Sequence, residues 1–170
     1  MSAGPLAQDY LRTLVGYHRW TGQRLLGAAE RVSADELAAG ELSWGSAFKT
    51  LLHVLDVSYS WRLVAEGAQS PGWVWDVAPL EDLESVRRFW EAEDERLAAF
   101  VESLGPDDAD RVVEKSNWPG HPFRTWQIVA HIVNHQVEHG NEIGWELTEL
   151  GHSPGGLGFI AFIDSVRDEA

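Results

Sequence analysis

The chain contains no cysteine. A disulfide scaffold, thiolate-held zinc, iron–sulfur clusters and a cysteine nucleophile are therefore excluded. Any metal site must be built from nitrogen and oxygen, and any catalytic thiol must arrive with a cofactor. Positive charge is also scarce: 13 Lys plus Arg stand against 27 Asp plus Glu, a formal net charge of -14. Such a surface repels a phosphate backbone at long range, so no nucleic-acid partner is expected. No run approaches 18 consecutive apolar residues, and no membrane-spanning helix is expected. The opening MSAGPLAQDYLRTL lacks a basic stretch followed by an apolar one. That predicts no secretory signal and a cytoplasmic protein.

The 170 residues are 44% hydrophobic and 24% charged, which suits one globular domain over 1–170 with a sizeable core. Tryptophan (9) and histidine (7) are abundant for this length. Histidine is the only side chain left with real affinity for a borderline-soft metal.

Four long segments carry a helical period. The first runs from about Pro5 to Arg31, with Leu11, Leu14, Val15, His18, Gly22, Leu25 and Leu26 on its stripe. Ser33 to Glu36 has capping-box spacing and predicts a short extra helical turn. The second long helix follows Ser46 to about Glu66, with Leu51, Leu52 and Leu55 on one face and His53 and Val57 on the next. Gly67 to Pro79 reads as a loop bearing Trp73 and Trp75, which would wall a pocket mouth or a dimer surface. The other tryptophans are expected in the core. The third helix spans roughly Leu80 to Leu104, and its acidic run, including Glu93 and Asp94, is expected on a solvated face. Arg111 to Glu114, followed by Asn117 to Gly120, reads as a small hairpin. The fourth helix starts near Thr125, a candidate N-cap, and ends at Leu150 before Gly151. The tail, with Phe159, Ile160, Phe162 and Ile163, is apolar enough to pack back on the body. The expected fold is an all-α four-helix bundle.

The fourth helix carries His131, His135 and His139. Residues four apart stack on one helical face about 6 Å apart, so an adjacent pair can grip one ion. All three cannot, because eight residues rise about 12 Å. Ile128, Ile132, Ile143, Leu147 and Leu150 define the inward stripe. His135 and His139 fall on or beside it, while His131 is displaced to the flank. Catalytic zinc usually takes three protein ligands. His53 is the natural third; His18, on an apolar face, reads first as a satisfied core histidine, and otherwise competes for the place or hydrogen-bonds a ligand from behind. His121 and His152, in Pro/Gly-rich loops, are expected to be solvated.

The segments Tyr17-His18-Arg19-Trp20, Ser46 to His53, Trp126 to His135 with His139, and Leu150 to Gly155 with Phe159-Ile160 resemble the DinB-like (damage-inducible) metalloenzyme family. The resemblance covers nearly the whole chain in order. It implies a four-helix bundle, a homodimer, and a divalent ion, zinc or nickel, on His53, His135 and His139. It also implies a metal-dependent transferase or hydrolase. The best match would be a thiol S-transferase or isomerase joining a small electrophile to a low-molecular-weight thiol. Two places depart from the family pattern: His139-Gly140-Asn141-Glu142 lacks the usual arginine after the ligand, and Gly158 replaces an aspartate. His18, Asp56 and Glu142 are the candidates for orienting ligands or moving protons. The competing expectation is a non-catalytic bundle whose ion only ties the second and fourth helices together.

Overall fold

The computed structural model describes residues 5–68, 72–105, 107–116 and 118–168. Its elements are α1 (Pro5–Ala29), α2 (Ala34–Ala38), α3 (Ala47–Ala65), α4 (Val74–Val77), α5 (Leu83–Ser103), β1 (Val112–Glu114), β2 (Pro122–Arg124), α6 (Thr125–Glu149) and α7 (Phe159–Asp168). The expected capping box opens α2: the Ser33 hydroxyl accepts from the Glu36 amide while the Glu36 carboxylate accepts from Ser33 N–H. Ser46 caps α3 through the Lys49 amide, and Asp82 caps α5 through the Ser85 amide.

Two expectations about elements are corrected. Thr125 is the first residue of α6 and Arg124 is its N-cap, because Thr125 Oγ1 donates to the Arg111 carbonyl (3.2 Å) and ties the helix start to the strand. The expected hairpin is present: it pairs Val112 with Arg124 and Glu114 with Pro122, with Trp118 to Gly120 in its loop; Asn117 lies outside the described residues. The loop between the second and third long helices contains a single helical turn, α4, and the tail is itself a helix, α7, with Phe162 buried against Tyr17 and Trp20.

The four long helices form the bundle. α6 packs on α3 and α1, and α5 packs on the same two, so α1 faces α3 across one diagonal. The apolar core is split into two parts. One holds Leu25, Leu26, Leu51, Leu55, Val86, Trp90, Ile143 and Leu147. The other holds Leu11, Val15, Trp61, Leu97, Val101, Ile128 and Ile132. On every long helix the residues between these two sets are polar and buried: His18 and Thr21 on α1, Ser58 on α3, Asp94 on α5 and Gln136 on α6.

His18, Ser58, Thr21 and Gln136 are joined by hydrogen bonds, and Asp94 faces His18 without one. His18 Nε2 lies 3.0 Å from Ser58 Oγ, and its Nδ1 lies 3.2 Å from Asp94 Oδ1. The Gln136 amide donates to the His18 carbonyl and to Thr21 Oγ1. Beside this layer Arg62 forks onto Glu93, with Nη2 to Oε2 at 2.9 Å, and both side chains are buried. Burial raises the Glu93 carboxyl, with Arg62 pulling against it. The acidic run of the third long helix is therefore not a uniformly wet face: Glu93 and Asp94 turn inward to meet Arg62 and His18. The tryptophan expectation is also corrected. Trp61 and Trp90 are buried, whereas Trp44, Trp73, Trp75, Trp118, Trp126 and Trp145 are exposed. Trp73 and Trp75 are stacked in parallel, with centroids 4.9 Å apart.

Candidate metal centre

α3 and α6 run antiparallel where they touch, and one stripe of each lines the seam. His53 meets His135 and His139, with ring centroids 4.6 and 5.0 Å away. Two turns further along α3, Trp61 meets His131 at 5.0 Å. One ligand nitrogen from each of His53, His135 and His139 lies within 4.8 Å of the others. His53 and His139 are buried and His135 is half-buried. The structure thus brings together the pair that helical phase selected and the third ligand chosen from the second long helix.

The chemistry of this donor set fits a divalent cation. His53 Nε2 and His135 Nε2 are 2.9 Å apart. Two neutral imidazoles can satisfy that contact only if one donates to the other, which leaves the third ring without a role. A cation between the three rings takes a lone pair from each. Two of the rings, His53 and His135, are held neutral, the form that binds a metal. Burial lowers the His53 pKa to about 4, with the neighbouring His139 adding to the effect. Burial lowers His135 to about 3, helped by His53, His139 and His131.

His139 is oriented from behind. Its Nδ1 is 3.1 Å from Glu142 Oε1 and 3.3 Å from Ser43 Oγ. Glu142 Oε2 accepts from the Ser43 hydroxyl (2.6 Å) and amide (3.2 Å). Burial alone would raise the Glu142 carboxyl, but these bonds and His139 outweigh it and hold it below its ordinary value. An ionised Glu142 selects the His139 tautomer with Nδ1 protonated and leaves Nε2 with its lone pair for the site.

Ser43 and Trp44 were not anticipated as site residues. They sit in a tight turn in which Gly45 N–H donates to the Leu42 carbonyl (2.7 Å), and Gly45 has φ 98°, a left-handed conformation that favours glycine. The turn lays the Trp44 indole parallel to the His53 ring, with centroids 3.6 Å apart and planes within 16°. The local signal was Ser43-Trp44-Gly45 just ahead of the Ser46 cap. Nothing in the sequence pairs that turn with a helix a hundred residues later.

The remaining candidates separate. Glu142 is at the site. His18 is not: it belongs to the polar layer between α1, α3 and α5, so it neither competes as a ligand nor hydrogen-bonds one. Asp56 is buried and its Oδ1 accepts the Val74 amide (2.7 Å), which anchors α4; it is not part of the three-histidine group. His131 is exposed on the flank, as helical phase indicated. His121 is exposed and His152 half-exposed. Among the described residues no fourth His, Asp or Glu joins the three-histidine group.

A helical bundle in which three histidines converge from two facing helices is an arrangement that could hold a divalent metal. The family follows: residues 6–169 match the model of the DinB family, and the chain belongs to that family. Among solved structures, a DinB-like protein (YjoA) of Bacillus subtilis has the same fold, with a TM-score of 0.60 over 82% of this chain and 92% of that one. The two are 17% identical, so the likeness speaks for the fold alone. No curated protein matches the chain. None of the helices described is long and apolar enough to cross a membrane.

Proposed function

We propose that this protein is a divalent-metal-dependent enzyme that transfers a low-molecular-weight thiol to a small electrophile, with zinc or nickel on His53, His135 and His139. The observation that carries this reading is the donor set itself: three imidazole nitrogens converge with no carboxylate in the group. A divalent ion bound there keeps its full charge and supplies Lewis acidity that makes a thiol or water at its remaining position a nucleophile near neutral pH. In the transfer the thiol proton passes to solvent, sulfur forms a bond to the electrophilic carbon, and the leaving group departs with its bonding pair.

The residues of the chain prepare this chemistry. Glu142 and Ser43 hold the His139 ring in place. Trp44 covers His53 on one side and keeps water from that face. The group takes three protein ligands, the number usual for catalytic rather than purely structural zinc sites, which favours catalysis over an ion that only ties α3 to α6. We further place the enzyme in the cytoplasm as a homodimer; Trp145 on α6 and Ile160 on α7, both about 70% exposed, support self-association.

The test is conjugation of a small thiol to 1-chloro-2,4-dinitrobenzene by metal-loaded protein. Turnover should vanish in metal-free protein and in His139→Ala. Equal rates with and without metal would overturn the mechanism.

A further inference from the structure

The seam between α3 and α6 continues past the three histidines. Along it follow His131, whose ring centroid is 5.6 Å from that of His135, then Trp61, then the hairpin. Phe123 of β2 meets Trp61 edge-on at 5.3 Å. Lys115, the residue after β1, lays its ammonium over the Trp61 ring, 4.6 Å from the centroid. Among the described residues no carboxylate closes an ion pair with Lys115, in a chain carrying 27 of them.

From this geometry we infer that Lys115 is the anion-receiving end of the site, and that the ligand is an elongated molecule with a metal-binding donor at one end and a carboxylate at the other. The inference rests on the proposed metal site. His53 and Trp61 are eight residues apart on one helix, so the two ends of the ligand are separated by about 12 Å. His131, exposed on α6, and half-buried Phe123 stand along the way between the two ends, and Trp61, packed against both, is buried. A cation stacked on an indole is partly desolvated, which strengthens its attraction for an anion. The surrounding charge makes such a group necessary: a protein of net charge -14 repels an anionic ligand unless a local cation receives it. A single ammonium matches a carboxylate better than a phosphate, which usually gathers several donors.

The experiment uses cobalt-loaded full-length protein and two probes, 8-mercaptooctanoate and 8-mercaptooctanol, with the thiolate-to-cobalt charge-transfer band as readout. In wild-type protein the carboxylate should bind about tenfold more tightly than the alcohol. Lys115→Met should abolish that preference without changing affinity for the alcohol, and Lys115→Arg should keep it. High salt should weaken the preference in wild type. Equal binding of both probes to wild type, or a preference that survives in Lys115→Met, overturns the assignment while leaving the metal chemistry standing. If neither probe gives the band, the metal-bound thiol itself is refuted, and the role of Lys115 falls with it.

Discussion

Glu142 Oε1 stands 3.1 Å from Nδ1 of His139, one turn earlier on the same helix, and its other oxygen is held by Ser43 from the turn before α3. The carboxylate therefore faces the back of the ring rather than the space between the three histidines. Glu142→Gln replaces a charged acceptor by a neutral one of the same shape. Metal affinity should fall about 10- to 100-fold, with the circular dichroism spectrum unchanged. Competition with a chromophoric chelator measures this, and an unaltered affinity would assign Glu142 no part in orienting His139.

Stability of the metal-free protein should depend on the two depressed histidines. In the unfolded chain an imidazole takes a proton near pH 6.5, whereas folded His53 and His135 stay neutral down to about 4 and about 3. The unfolded state thus binds more protons across that window. Stability should drop as pH falls from 6.5 toward 4, and below about 3 these two groups should cause no further change. Thermal melts of metal-free wild type and His135→Gln check it. The variant should lose less stability between pH 6.5 and 4, and parallel curves would contradict the assignment.

Trp44 covers His53 in a parallel stack. Trp44→Ala should expose the His53 ring, relieve the burial that depresses it, and move its titration midpoint upward toward the ordinary 6.5. Imidazole chemical shifts of metal-free protein followed against pH report this directly. An unmoved midpoint would show that the helices alone keep His53 neutral.

Arg62 and Glu93 form a buried pair between α3 and α5. Glu93→Ala leaves the buried Arg62 guanidinium with Glu66 as its remaining partner and should cost at most about 3–5 kcal/mol, whereas replacing both Arg62 and Glu93 with methionine should cost far less. Urea unfolding of the single and double variants decides the matter, and additive losses would argue against coupling.

His18 supplies the last contrast. His18→Ala should lower the melting temperature, because Asp94 and Ser58 lose their partner, yet leave one metal ion per chain. Loss of bound metal in a folded His18→Ala protein would return His18 to the site.

These contrasts mark what sequence reading reached. Helix number, the capping residues Ser33 and Ser46, and the selection of His135 and His139 over His131 follow from the 3.6-residue period, a local property. The buried state of Glu93 and Asp94 does not, because a carboxylate reads as solvated until its partner is known, and Arg62 and His18 lie on other helices. His18 was ambiguous for the same reason: its place on an apolar stripe shows burial but not which polar group it meets. Ser43, Trp44 and Lys115 are loop or hairpin residues, placed at the seam by chain reversals rather than by any period.

The polar layer of His18, Ser58, Asp94 and Gln136 acts as an index mark for the bundle. Apolar stripes alone tolerate helices that slip by a turn or rotate by a residue, since one leucine replaces another. Here a slip would leave Asp94 facing hydrocarbon and strip Gln136 of the carbonyl and hydroxyl it binds on α1. Gln136 sits between His135 and His139 in the chain. The contact that fixes the rotation of α6 against α1 therefore also sets the direction in which both histidines point toward α3. The aim of the ligands is decided on the far side of the helix that carries them.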